Sequence, residues 1–237
     1  MAEALRLSGV EAFYGESHVL RGVSFRLERG RLLVLLGRNG AGKTTCINSI
    51  IGFLPPREGE ITLFGEPIAR RAPEAIAAKG VGLVPQGRRL FPSLTVRENL
   101  LVAARPPRNG DAAWKLEDVY GLFPQLRARQ DALAAHISGG EQQMVAIGRA
   151  LLLNPRVLLL DEPSEGLAPQ VVASVAQALL ALKERGLSMV LVEQNTGLAL
   201  KVADDVVILD HGTIVHEGTV ADIQGRREIL EAHLGIV

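Results

Sequence analysis

The sequence predicts an α/β fold whose core is a parallel sheet covered by helices on both faces. Short, almost continuous apolar runs, each followed by a helix-like segment, recur at residues 31–37, 80–86, 156–162 and 188–194. Strands that are buried on both faces require this composition. Antiparallel strands are predicted beside this core, because the segments before residue 30, at 59–68 and at 204–219 alternate or break at glycines.

A helical insert interrupts this pattern. Residues 88–155 contain no strand candidate, and TVRENLLVAAR, AAWKLEDVYGLF and GEQQMVAIGRALLL place apolar residues at helical spacing. The turn-rich segment RPPRNGD, at 105–111, is predicted to be a link inside the insert. We therefore predict one domain over residues 1–237, in which 1–87 and 156–237 form the core with its antiparallel strands and 88–155 form the insert.

Composition narrows the possible functions. The chain has 237 residues, of which 47% are hydrophobic, and its 26 basic and 26 acidic residues balance. This balance argues against nucleic acid as a partner, because phosphate-backbone binding usually requires a basic excess. No apolar run approaches the roughly 18 to 20 residues that span a bilayer, and the N-terminus does not resemble a signal peptide. With Cys46 as its single cysteine, the chain is expected in the reducing cytoplasm.

A phosphate-binding loop is predicted between the apolar strand at 31–36 and the helix-like segment that follows it. The segment matches G-x-x-x-x-G-K-[ST], and this strand and helix context is the one that the motif requires. Backbone N–H groups of such a loop point at phosphate oxygens, and the helix N-terminus adds its positive dipole end. Lys43 is expected at the β- and γ-phosphates, Thr44 at Mg²⁺ and Thr45 at the α-phosphate. The loop consists of Gly37, Arg38, Asn39, Gly40, Ala41, Gly42, Lys43 and Thr44.

Two adjacent carboxylates end the apolar strand RVLLLDE. Asp161 is a candidate for holding Mg²⁺, as the second acidic element of phosphate-loop ATPases does. Glu162 is the candidate base that orients and polarises the attacking water. Carboxylates in loops are usually only solvated, so the pair indicates a catalytic site only in combination with the phosphate loop.

A second candidate anion site lies at the start of the helix in the insert. Ser138 is an N-cap type residue, and Gly139 and Gly140 let a ligand approach the backbone before Glu141. One nucleotide cannot lie on two distant helix N-termini of one chain. We therefore expect this site to meet the γ-phosphate of a nucleotide bound by another subunit.

The block ISGGEQQMVAIGRALLLNPRVLLLDEPS closely resembles the signature and acidic strand of ABC ATPases, and the resemblance extends over essentially the whole chain. It implies the ABC ATPase fold, with a RecA-like parallel-sheet core, an antiparallel β subdomain and an inserted helical subdomain. It also implies ATP and Mg²⁺ as ligands, with Tyr14 stacking on adenine and Gln86 touching Mg²⁺ and the water. The implied partners are permease subunits that dock near residues 87–100, a second ABC ATPase subunit in a homo- or heterodimer, and indirectly a secreted substrate-binding protein. The chain would then lie at the cytoplasmic face of the membrane.

Two positions depart from the commoner pattern of this family. Gln194 stands where most relatives have the switch histidine, and Ala168 replaces the usual aspartate after Ser-x-x-Leu. Glutamine can donate a hydrogen bond to the γ-phosphate but cannot carry a proton near neutral pH. Both departures are similar to the F-type ATPase subunit of branched-chain amino acid importers. A urea or amide importer, an exporter ATPase and a soluble ABC ATPase that does not transport remain as alternatives.

Overall fold

The computed structural model describes residues 2–107 and 113–234. The strands are β1 (Glu3–Tyr14), β2 (Ser17–Glu28), β3 (Leu32–Leu36), β4 (Glu58–Leu63), β5 (Glu66–Pro67), β6 (Val81–Val84), β7 (Val157–Asp161), β8 (Ser188–Glu193), β9 (Asp205–Asp210) and β10 (Thr213–Thr219). The helices are α1 (Lys43–Ile51), α2 (Pro73–Ala78), α3 (Val96–Leu101), α4 (Leu116–Leu122), α5 (Pro124–Ala128), α6 (Gly139–Leu151), α7 (Pro169–Glu184), α8 (Thr196–Val202), α9 (Val220–Gln224) and α10 (Arg227–Leu234), with a 3₁₀ turn at Ala134–His136.

The core is a six-stranded sheet in the order β10-β9-β3-β8-β7-β6. All pairs are parallel except β9 with β10. The four predicted apolar strands are therefore present and adjacent. The predicted hairpin at 204–219 is also present, but its first strand is not outside the core, because β9 pairs in parallel with β3. Hairpin signals are local, and they do not reveal which third strand a hairpin joins.

Alternate residues of the central strands pack into two separate cores. Leu32, Val34 and Leu36 of β3 face the core that includes residues of α3, α4, α6, α7 and α8. Leu33 and Leu35 face the other core, which includes residues of α1 and of the antiparallel strands. Both faces of the sheet are thus buried, which is why its strands lack the alternation of a half-exposed strand.

A second sheet, of four antiparallel strands in the order β2-β1-β4-β5, covers the α1 side. The long strands β1 and β2 alternate buried and exposed residues over much of their length, as a sheet with one solvated face requires. The strands of this sheet lie in the segments before residue 30 and near 59–68, where the sequence predicts antiparallel strands.

The described part of residues 88–155 is helical, with one isolated bridge between Thr95 and Leu133. Helices α3 and α6 each begin with a capping box, at Thr95 with Glu98 and at Ser138 with Glu141. The predicted link at 105–111 lies outside the described residues from 108 onward. Among the described residues, no helix has the length and apolar character needed to cross a membrane.

Candidate nucleotide site

The strand order brings the predicted site residues to one edge of the sheet. Lys43 begins the helix that follows β3, Asp161 ends β7, Gln194 follows β8 and Gln86 follows β6. These four strands are neighbours and parallel, so their carboxyl ends lie side by side. Ligands of open α/β sheets bind at this edge.

The backbone of the phosphate loop depends on glycine at two positions. A Cβ atom on Gly37 would lie 2.4 Å from the carbonyl oxygen of Leu209 in β9, so only glycine allows the loop to leave β3 here. Gly42 has a φ of 108°, and it is the N-cap of α1, a conformation that favours glycine. A cavity is lined by Arg38, Asn39, Gly40, Ala41, Asp210 and His211.

Lys43 lies inside this loop, with its side chain 4% exposed. Its Nζ donates to the carbonyl oxygens of Gly37 at 2.9 Å and Arg38 at 3.2 Å. The same atom lies 3.5 Å from Oε1 of Glu162, whose side chain is 8% exposed. A buried cation is thus placed between the loop backbone and the candidate base, where it can bind a phosphate oxygen.

Thr44 and Asp161 meet although 117 positions separate them in the chain. The Thr44 hydroxyl donates to Oδ1 of Asp161 at 3.1 Å. Burial raises the pKa of Asp161, and the hydrogen bond from Thr44 opposes this rise. A hydroxyl beside a carboxylate is the hard oxygen donor set that Mg²⁺ takes together with substrate phosphates. No group of three or more His, Cys, Asp or Glu side chains suited to a metal ion occurs in the described ranges.

Glu162 is the centre of a polar cluster at the end of β7. Its φ of 48° is unusual for a residue with a side chain, and such strain is common at functional sites. Nε2 of Gln194 donates to Oε1 of Glu162 at 2.7 Å. Nε2 of Gln86 lies 3.4 Å from the other carboxylate oxygen and donates to Glu165 at 2.9 Å. Both predicted glutamines therefore contact the predicted base, whereas Glu165 as a partner of Gln86 was not predicted.

A further carboxylate, Glu193, was also missed by the sequence reasoning. It is the last residue of β8 and only 2% exposed. Its oxygens accept hydrogen bonds from the backbone N–H groups of Ser164, Gln194 and Asn195. Burial raises its pKa, and a hydrogen bond from the Ser164 side chain, together with these backbone hydrogen bonds, opposes the rise. The only signal in the sequence is an acidic residue directly after the apolar run MVLV and before Gln194.

Of two other predicted residues, Tyr14 lies beside helix α1 and Thr45 lies within it. Tyr14 ends β1 with 49% of its surface exposed, and its hydroxyl accepts a hydrogen bond from Asn48 at 3.2 Å. Its ring is thus available to a planar ligand. Thr45 is buried in the first turn of α1.

The second predicted anion site is at the N-terminus of α6. Ser138 is the N-cap, as the sequence predicts, and its hydroxyl donates to Glu141 at 2.8 Å. Gly139 lies against the Arg88 guanidinium, and a Cβ on Gly140 would come within 2.8 Å of Val171. Among the described residues, no hydrogen bond or ion pair joins residues 138–141 to the phosphate loop. The structure therefore does not bring these two parts of the predicted site into contact within one chain.

The loop around a buried lysine, beside a carboxylate held by two amides, places the protein in the class of phosphate-loop nucleoside triphosphatases. The family model described as ABC transporter matches residues 20–165. The chain is 38% identical to the high-affinity branched-chain amino acid transport ATP-binding protein BraG of Pseudomonas aeruginosa, over 98% of this chain and 99% of the relative. It is 38% identical to the arginine transport ATP-binding protein ArtP of Haemophilus influenzae, over 91% and 92%.

Solved structures agree with these relatives. A nucleotide-free ATP-binding cassette from an ABC transporter superposes with a TM-score of 0.84 and 27% identity, over 99% of both chains. The chain belongs to the ABC transporter family, and it is an ATPase that serves as the ATP-binding subunit of a transporter.

Proposed function

We propose that this subunit drives an importer for branched-chain or other hydrophobic amino acids from the cytoplasmic face of the membrane. The observation that carries the proposal is Gln194, a neutral amide 2.7 Å from the candidate base, at the position where most of the family has histidine. The match to BraG over nearly the full length of both chains supports the same solute class. ArtP, which has the same identity to this chain, is an arginine transport ATP-binding protein, so arginine is one of the solutes compared below.

Hydrolysis follows from the contacts of the site. The loop N–H groups and Lys43 bind the phosphates of ATP, and the loop lysine replaces its two carbonyl contacts with phosphate oxygens. Thr44, Asp161 and Gln86 would hold Mg²⁺, which neutralises charge on the phosphates when it is bound. Glu162 accepts a proton from the attacking water, and its carboxylate is oriented by Gln194.

The site would be completed by a second ATPase subunit. The N-terminus of α6, a helix of 13 residues, presents its positive dipole end at Ser138. Because no hydrogen bond or ion pair in the described part of the chain joins this end to its own phosphate loop, it is suited to the γ-phosphate bound by the other subunit. Relatives of the F type pair with a different cassette, so the proposed dimer is heteromeric, and a homodimer is the alternative.

Residues 87–100 are proposed to receive a permease subunit. Phe91 in this segment is 49% exposed. The buried Asn99 side chain of α3 hydrogen-bonds to the backbone of Phe91 and Leu94, and these bonds attach the segment to that helix. Arg149 of α6 donates to the carbonyl oxygens of Arg88 and Arg89. A docking element here would thus contact both the Gln86 loop and the helix that starts at Ser138.

The test is transport by the assembled complex. The chain is expressed with candidate permeases and a candidate sister cassette. The complex is reconstituted with a binding protein, and ATP-driven uptake of labelled leucine is compared with that of arginine and urea. We expect leucine uptake in the parent. In Glu162→Gln, ATP still binds but hydrolysis and uptake fall by roughly 10²- to 10⁴-fold. Uptake of urea or arginine in place of leucine would contradict the proposed solute, and parental hydrolysis in Glu162→Gln would contradict the proposed base.

Uptake of urea or amides is the second candidate. The segment PQGRRLFP, at 85–92, is similar to the urea branch of the family as well as to the amino acid branch. The labelled-urea arm of the same experiment decides between the two.

A further inference from the structure

The carboxylate of Glu193 divides its two oxygens between two loops of the site. Oε1 accepts from the backbone N–H of Ser164 at 2.9 Å, in the loop that follows β7. Oε2 accepts from the N–H groups of Gln194 and Asn195, both at 3.1 Å, in the loop that follows β8. One side chain therefore holds together the loop that contains Glu162 and the loop that contains Gln194.

The surroundings of Glu193 make this arrangement costly. Glu193 is 2% exposed. In the part of the chain that the structure describes, no lysine, arginine or histidine forms an ion pair with it. An ionised carboxylate in such a place is stabilised by hydrogen bonds, here from three backbone N–H groups and the Ser164 side chain. An apolar residue at this position would avoid the cost of burial but would leave these N–H groups without an acceptor.

Two further hydrogen bonds hold the backbone near Gln194. The N–H of Glu162 donates to the carbonyl oxygen of Val192 at 2.9 Å, and the Asn195 side chain caps α8 by accepting from Leu198 at 3.0 Å. The backbone on each side of the Gln194 amide is therefore held in place, and this amide is 2.7 Å from Glu162.

We propose that Glu193 is a positioning residue for ATP hydrolysis, which sets the Gln194 amide against Glu162 by joining the β7 and β8 loops. In this role Glu193 acts through Gln194 and needs no contact of its own with the nucleotide. The inference rests on the proposed roles of Glu162 and Gln194, and it is independent of which solute the transporter carries.

The test is a double-mutant cycle in the assembled complex, with ATP hydrolysis measured for parent, Glu193→Gln, Gln194→Ala and the double variant. Glutamine offers one acceptor oxygen and one NH₂ group, so one of the two loops loses its acceptor. We expect Glu193→Gln to lower kcat about tenfold with KM for ATP within about twofold, since a hydrogen bond to a charged group is lost while the phosphate loop is intact. If Glu193 acts through Gln194, the double variant is no slower than Gln194→Ala by more than about twofold.

Asp204→Asn is the matched control. Asp204 is also a carboxylate that accepts a backbone N–H, from Leu32 at 2.9 Å, and it pairs with Lys183 at 3.0 Å, but it precedes β9 at the opposite end of the sheet. We expect this variant to lower the melting temperature and to leave kcat within about twofold of the parent.

The outcomes distinguish the positioning role of Glu193 from the role of Gln194. Losses that multiply fully in the double variant, or a Glu193→Gln protein with parental kcat beside a slow Gln194→Ala, would overturn the positioning role alone. Parental kcat in Gln194→Ala would overturn the role of Gln194, and the positioning role with it. If Glu193→Gln does not fold, amide hydrogen exchange of the parent decides: the N–H groups of Ser164, Gln194 and Asn195 must be protected, and fast exchange of all three contradicts the inference.

Discussion

Removal of the Gln194 amide is the most informative perturbation of this site. The sequence suggested that Gln194 donates to the γ-phosphate, whereas in the structure its Nε2 donates to Oε1 of Glu162 at 2.7 Å. In Gln194→Ala, the side-chain contacts that this carboxylate keeps among the described residues are longer, to Lys43 at 3.5 Å and to Gln86 at 3.4 Å. A hydrogen bond to a charged group contributes about 1.5 to 3 kcal/mol. Since about 1.4 kcal/mol is a factor of ten, turnover is expected to fall by roughly ten- to a hundredfold.

A histidine at position 194 distinguishes the effect of the hydrogen bond to Glu162 from the effect of a titrating charge. Gln194→His should keep activity but add a titration to the pH profile of kcat, because imidazole has an ordinary pKa of about 6.5. The neighbouring Glu162 carboxylate favours the protonated ring, so the transition is expected at or somewhat above that value. The parent should show no such transition in this range, since an amide does not titrate.

The assay is steady-state ATP hydrolysis of the assembled complex between about pH 5.5 and 8.5. Gln177→Ala is the control, because Gln177 is an exposed residue of α7 and its loss should leave kcat unchanged. If Gln194→Ala matches the parent at every pH, Gln194 does not orient the base, and its placement at the switch position of the family is wrong.

Two further predictions concern the phosphate loop and its helix. Gly37→Ala should destabilise the fold by about 1 to 3 kcal/mol and weaken ATP binding, because the new Cβ would lie 2.4 Å from a backbone oxygen of β9. The matched variant Gly121→Ala, in α4 with open space around it, should be neutral or stabilising by about 0.5 to 1 kcal/mol, and equal melting temperatures for the two variants would contradict the packing argument. Burial raises the pKa of the Cys46 thiol to about 12, so a thiol reagent at about pH 8 should label Cys46 only in denaturant; rapid labelling of the native protein would show that the helix is more open than the structure indicates.

The sequence predicted the parts of this fold that depend on local pattern. The apolar runs gave all four buried strands, and the phosphate-loop motif placed Lys43 and Thr44 at the start of a helix, where the structure has them. The contact between Thr44 and Asp161 was implied by the chemistry of magnesium, although the residues are distant in the chain. Strand order was not predictable in this way, because the place of β8 between β3 and β7 depends on packing between distant segments.

The difference between Asp161 and Glu193 shows why some site residues need the structure. Each follows a run of apolar residues and ends a strand, so the local pattern is the same. In β7, Leu159 faces the core on the α1 side, and the alternation of strands puts Asp161 on that side, where it meets Thr44. In β8, Met189 and Leu191 face the other core, and the same alternation directs Glu193 toward the loops before α7 and α8. Strand geometry imposes this alternation, but a continuous apolar run does not show which core each set of residues faces. This choice determines whether the carboxylate is placed for a magnesium ion or for the backbone of two loops.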